Sequence, residues 1–174
     1  MIICISGLSG SGKTTTAALL AKELKIRHVN RSYKEFTGDN ENLIGFDKNV
    51  KHSFDLKFDK EVIKEANKYD SVVSTSLGPW IISNSTLNVW LEVGLDARAK
   101  RKAKDRRVSL KQAKKYVKEK DAAWVNHVKK AYGIDIIKDH DVFDVKLNGE
   151  KLSKGEIVTT IAMLSLAKDS KRFR

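Results

Sequence analysis

Ile2-Ile3-Cys4-Ile5-Ser6-Gly7-Leu8-Ser9-Gly10-Ser11-Gly12-Lys13-Thr14-Thr15 opens a chain of 174 residues, and its reading decides the fold. An apolar, β-rich run passes into a glycine loop, and a helix-forming run, residues 17–24, follows. Gly7-x-x-x-x-Gly12-Lys13-Thr14 fits the phosphate-loop pattern, in which backbone N–H groups wrap phosphates, the lysine reaches the β/γ oxygens and the threonine hydroxyl binds Mg²⁺. Glycine is required because the wrap needs unusual backbone angles and close approach. Gly7, Ser9, Gly10, Ser11, Gly12, Lys13, Thr14 and Thr15 are therefore read as binding a nucleoside triphosphate, with Lys13 catalytic and Thr14 the metal ligand. A glycine turn without a ligand would leave the Lys-Thr pair to accident.

Working outward, residues 1–6 are almost wholly apolar, as befits a parallel strand buried on both faces at the centre of a sheet. Ala17, Leu20, Ala21 and Leu24 recur at helical spacing, so the helix packs on that sheet while its N-terminus lends partial positive charge to the phosphates. Residues 26–30 read as a short second strand, and residues 31–50 lose periodicity, as the start of an insert would. Phe54, Phe58, Val62, Ala66 and Tyr69 then form the stripe of an amphipathic helix. Asp55 and Asp59 lie one turn apart on it, where they either orient a substrate's hydroxyl or cationic groups or pair in solvent with Lys51, Lys57 or Lys60.

Residues 71–76 read as a strand ending in hydroxyl residues, followed by the turn Leu77-Gly78-Pro79-Trp80. Ligands of open parallel sheets sit at the carboxyl ends of strands, which makes Ser74, Ser76 and Trp80 candidates, although a Gly-Pro turn needs no ligand. Residues 86–93 are the next strand, with Trp90 in the core. A helix over residues 95–107 carries Arg98, Arg101, Lys104, Arg106 and Arg107, a basic segment that clamps phosphates or simply faces solvent. Leu110, Ala113, Val117, Trp124, Val128 and Ala131 put a second helix beside it, at spacings of three, four, seven, four and three. The two helices form a hairpin, read as a closing lid or as a static coil, and Gly133 stops the second. Residues 142–147 alternate as a last strand, Ser153-Lys154-Gly155-Glu156 is a capping box for a last helix, and the basic tail from Lys168 reads as frayed. Strands alternating with helices behind a phosphate loop predict a three-layer α/β/α phosphate-loop NTPase fold with a mainly parallel five-stranded sheet.

Composition narrows the class. No apolar run approaches the ~20 residues that span a bilayer, and the chain opens on a core strand rather than a signal peptide, so a cytoplasmic protein is expected. A single cysteine, Cys4, leaves an inert core thiol and no cysteine metal cluster. The net charge of +12 attracts polyanions, which keeps RNA open as a partner; the alternative is lysine used on solvated helix faces, since runs such as Lys114-Lys115 lack interleaved aromatics. His28, His52, His127 and His140 are isolated in polar contexts and read as solvated.

Nearly end to end, the chain resembles the small phosphate-loop nucleoside monophosphate kinases, in particular the archaeal-type cytidylate kinases. The carriers are the loop itself, Asp55-x-x-x-Asp59, Leu87-Asn88-Val89-Trp90-Leu91 leading to Asp96-Ala97-Arg98-Ala99-Lys100-Arg101, and Tyr132-Gly133-Ile134-Asp135. The resemblance implies a single domain with a core of residues 1–30, 70–97 and 132–174, an acceptor-binding insert of residues 31–69 and a lid of residues 98–131. It implies ATP and Mg²⁺ as cofactors and CMP or dCMP as acceptor, with Arg101, Arg106 and Arg107 closing over the transferred group. Lys34, Asp55, Asp59, Ser74, Ser76 and Trp80 are the acceptor candidates. This chain departs from the family where Val72-Val73 runs into Ser74-Thr75-Ser76 instead of an acid, a glycine and an arginine, and where Lys120 and His127 stand for late-lid arginines. Those departures carry the competing expectation, a diverged ATP-binding protein that works with RNA or a protein partner.

Overall fold

The computed structural model describes residues 1–31 and 52–170. Its first strand, β1 (Ile2–Ser6), is buried at every position. That follows from its place: five parallel strands run in the order β2-β3-β1-β4-β5, where β2 is Arg27–Val29, β3 Ser71–Val73, β4 Leu87–Glu92 and β5 Val145–Asn148. β1 pairs with β3 on one side, Ile3 against Val72, and with β4 on the other, Ile3 against Leu87. The chain thus leaves β1 in both directions across the sheet, and the loop after β1 lies at the switch point, where open parallel sheets bind ligands.

Alternation along β1 builds two cores. Ile3 and Ile5 point with Val72, Leu87, Val89, Leu91 and Leu147 toward α1 (Lys13–Leu24) and the last helix, Lys154–Ser170. Ile2 and Cys4 point the other way with Val29 and Val73, against Phe58, Val62 and Ala66 of α2 (His52–Ala66). The expected helix stripe is therefore real at Phe58, Val62 and Ala66, α2 ends before Tyr69, and this apolar spacing is what seats α2 on the sheet. Three layers result, as expected.

Three boundaries differ from expectation. β3 stops at Val73, although the Ser74 N–H still donates to the Val29 carbonyl at 3.1 Å; Leu77-Gly78-Pro79-Trp80 is not a turn but opens a short helix, α3 (Gly78–Ile81), with the proline in its first turn where a missing N–H costs nothing. β5 begins at Val145 rather than Val142, since Val142 and Asp144 are spent on Asn88: its side-chain amide donates to the Val142 carbonyl and its N–H to the Asp144 carboxylate.

Two helices follow β4 as a hairpin, α4 (Leu95–Arg106) and α5 (Leu110–Tyr132). Arg107, in the left-handed region at φ 54°, ends α4, and Ser109 with Gln112 caps α5 reciprocally. Gly133, also left-handed at φ 72°, ends α5 as expected. The far half of α5 returns to the sheet, where Val128 joins Leu77, Trp90 and Ile136 in a third buried cluster. α6 (Lys154–Ser170) closes the chain, its Ser153–Glu156 capping box formed in both directions. Among the described residues no helix is long and apolar enough to cross a membrane. Lys34 lies outside the described residues.

Candidate active site

The loop between β1 and α1 takes its shape from glycine. Gly7, Gly10 and Gly12 have φ of 145°, 81° and 102°, and a Cβ on Gly7 would sit 2.7 Å from the Leu91 carbonyl oxygen. The Ser11 N–H closes the loop onto the Leu8 carbonyl at 3.1 Å. α1 then starts without a side-chain cap and without an acid in its first turn, so its leading N–H groups, with exposed Thr14 and Thr15 beside them, face the mouth of the loop. Ser11 Oγ is buried with no hydrogen-bond partner among the described residues. An uncapped helix start with an orphaned hydroxyl fits an anion.

Lys13 supplies the matching charge. Its Nζ donates to the Leu8 carbonyl at 3.2 Å, folded back along the loop. Burial pulls its pKa from 10.5 down to about 8, Lys120, Arg98 and Lys102 push the same way, and only Asp121 opposes them. A lysine kept short of counter-charge is one that a phosphate would complete.

The α4–α5 hairpin reaches this loop from outside. Arg98 is 4% exposed; its Nε donates to the Val93 carbonyl at 2.9 Å and its Nη1 to the Ser9 carbonyl at 3.1 Å and to Asp121 Oδ2 at 2.6 Å. Arg101 donates from Nη1 to the Ser11 and Gly10 carbonyls at 2.9 and 3.3 Å, and from Nη2 to the Gly149 carbonyl at 2.7 Å, tying the loop to the turn after β5. Arg106 and Arg107 are not brought to the loop. Arg106 lies 4.0 Å over the Tyr116 ring and donates to its hydroxyl, and Arg107 is exposed at the hairpin turn, about 14 Å further along the axis of α4 than Arg98.

Asp121 is the site residue that the sequence reading missed. Burial raises its pKa, while Arg98, a hydrogen bond from the Ser9 N–H and the charge of Lys13 restrain the rise. The signal was in the periodicity: the step of seven from Val117 to Trp124 divides into four and three at residue 121, so this acid sits on the packed stripe of α5.

On the acceptor side the candidates meet one another. Asp55, fully buried, lies 3.2 Å from His127 Nε2, and Asp59 Oδ2 accepts from the Tyr132 hydroxyl at 2.7 Å. Both carboxylates thus join α2 to α5 rather than standing in solvent, and buried His127 corrects the expectation of a solvated histidine. His140 does too: it donates to the Ile136 carbonyl and its ring lies 4.5 Å from that of Trp90. Ser74 accepts from His28 Nε2 at 2.9 Å and donates to Asn30 Oδ1 at 3.1 Å, so His28 is likewise engaged, and burial lowers its pKa. Ser76 is half-buried beside this network, and Trp80, also half-buried, stands edge-on to Phe143 with ring centroids 5.2 Å apart. Cys4 is inert, its thiol pushed up to about 12 by burial. Among the described residues, no three or more His, Cys, Asp or Glu side chains form a cluster able to hold a metal ion.

Known proteins match this arrangement. The profile of the cytidylate kinase-like family matches residues 34–151. A cytidylate kinase of Sulfurisphaera tokodaii is 30% identical over 166 residues, covering 90% of this chain and 91% of its own. One from Ignicoccus hospitalis is 30% identical over 172 residues, covering 95% of this chain and 99% of its own. Among solved structures, a shikimate kinase from Bacteroides thetaiotaomicron superposes with a TM-score of 0.63 at 16% identity, over 97% of this chain and 98% of that one.

Proposed function

Because this chain belongs to the cytidylate kinase-like family, and is a nucleotide kinase, we propose that it transfers the γ-phosphoryl group of ATP to CMP or dCMP, giving ADP and the nucleoside diphosphate, in the cytoplasm. The observation that carries the donor half is Lys13, held short of counter-charge at about pKa 8 beside the uncapped start of α1. The acceptor half rests on the relatives.

Phosphoryl transfer asks the protein for position and for charge, with little covalent chemistry. The amides from Gly10 to Thr15 hold the donor phosphates, and Lys13 swings from the Leu8 carbonyl onto their oxygens. Thr14, exposed at the mouth, is the side chain that would hold Mg²⁺, the remaining positions going to phosphate and water as this ion prefers. Bound there, the ion would neutralise charge on the phosphates. Arg101, already bridging the loop and the Gly149 turn, acts on the transferred group, with Lys120, whose charge bears on Lys13; Arg106 shares the Tyr116 hydroxyl with Lys120, one step further out. On this reading Ser74 and Ser76, just past the end of β3, face the acceptor, and the buried Asp55 and Asp59 carboxylates brace α2 against α5.

The test is transfer of label from γ-labelled ATP to a panel of CMP, dCMP, UMP, AMP and total RNA. CMP or dCMP should take the label fastest, and Lys13→Ala should slow transfer to every member by at least about 10²-fold. Transfer near the parent rate in that variant refutes the site.

A further inference from the structure

The loop that reads as a phosphate site has an acid in it. Asp121 comes from the middle of α5, 23 residues from Arg98 in sequence, and bonds Arg98 at 2.6 Å. Arg98 Nη1 also holds the Ser9 carbonyl at 3.1 Å, so one guanidinium nitrogen joins the carboxylate to the loop. Arg98 and Lys13 both favour the charged form of Asp121, and Asp121 in turn offsets Lys120, Arg98 and Lys102 at Lys13. A carboxylate 16% exposed, on a buried guanidinium that itself holds a phosphate loop, occupies the kind of position a phosphate oxygen takes.

An acid so placed has one of two roles, and they differ in sign. If it merely orients Arg98, removing its charge should weaken phosphate binding. If it neutralises the loop in place of phosphate, removing its charge should strengthen it, because a polyphosphate no longer has to displace or repel a carboxylate. Two details favour the second. Arg98 is already oriented without Asp121, by the Val93 and Ser9 carbonyls. Asp121 also offsets the surrounding cations at Lys13, which contributes nothing to aiming Arg98.

We propose that Asp121 is an internal counter-anion of the phosphate loop: with the loop empty, it neutralises part of the loop's positive charge through Arg98 and at Lys13, and an incoming polyphosphate displaces it and loosens its tie between α5 and α4. This rests on reading the loop as the donor site, and it adds a regulatory contact to that site. Asp121 acts as a positioning residue for the hairpin.

Binding of inorganic tripolyphosphate to the full chain by titration calorimetry tests it, because this ligand needs neither base nor acceptor. Asp121→Asn, close to isosteric, should bind roughly three- to tenfold more tightly than the parent. Asp105→Asn, which removes the same charge at an exposed position of α4, should leave affinity unchanged. Asp121→Ser serves if the amide variant melts early, with the same expectation. Unchanged or weaker binding in the Asp121 variants overturns the proposal, as does equal tightening in Asp105→Asn, which would reduce the effect to net charge, or no binding by any variant. The kinase reading is scored separately: a parent chain that phosphorylates CMP while Asp121→Asn binds no tighter refutes only the counter-anion, and tighter binding in a chain that phosphorylates nothing refutes only the kinase.

Discussion

The two sides of the site are built in opposite ways. On the donor side the groups that matter are main-chain amides shaped by Gly7, Gly10 and Gly12, surrounded by cations in excess of the single acid Asp121. On the acceptor side the described polar side chains are matched among themselves: Asp55 with His127, Asp59 with Tyr132, Ser74 with His28 and Asn30. One side is poised to be completed by a ligand, and the other is braced by its own pairs. Substitutions should therefore damage function on the first and stability on the second.

The sharpest break of that contrast is Lys13→Met. Losing the cation aimed at the transferring phosphates should cost on the order of 10²- to 10³-fold in turnover, the scale of a lost preorganised electrostatic contact. The urea midpoint of the empty protein should hold or rise, because a partly desolvated, under-neutralised ammonium is removed along with one hydrogen bond to Leu8. A falling midpoint would mean that the donor side is braced as well.

Asp55→Ala should do the reverse. It removes the Asp55 contact of buried His127 between α2 and α5, and the loss of one partner of a buried hydrogen bond costs about 2 kcal/mol. Urea unfolding should show that loss, and tripolyphosphate affinity should be unmoved. Tyr132→Phe removes one hydroxyl from Asp59 and should cost about 1 kcal/mol by the same measurement. Weakened tripolyphosphate binding in either variant would show that the two sides are coupled through α5.

The contrast also explains what could be read from the sequence. A backbone-built site is local: glycines, lysine and threonine at fixed spacing announce the loop, and the apolar runs around it announce five strands and three layers, all of which the structure contains. The acceptor side is made of contacts between side chains 72, 73 and 46 residues apart, for which one sequence offers no spacing to measure. Hence His127 read as solvated and the Asp55–Asp59 pair stayed ambiguous. Asp121 is the intermediate case. The step of seven in the α5 stripe marked its position, but an acid on a packed face has no meaning until Arg98 is brought to it by the hairpin. Charge density along a helix does not say which turn meets the loop: Arg101 bonds it directly, whereas Arg106 bonds Tyr116.

The smallest effect bears on the donor side alone. Lys13 in the empty protein has a pKa of about 8, and polyphosphate oxygens around it should raise that value toward or beyond the ordinary 10.5. At pH 6.5 the ammonium is charged in both states, so binding tripolyphosphate should move no proton at this group. At pH 8.5 the empty protein is largely deprotonated there and the complex is not, so binding should take up a substantial fraction of one proton. Affinity should correspondingly fall as pH rises through about 8, since the complex binds more protons than the free protein in that window. Calorimetry in buffers of different ionisation enthalpy reads the uptake directly, once the ligand's own titration, measured without protein, is subtracted. Lys13→Met should show none of the excess. Equal uptake at both pH values would place the charge that meets the phosphates on Arg98 or Arg101, which do not titrate in this range, and the donor side would then be as fully neutralised at rest as the acceptor side.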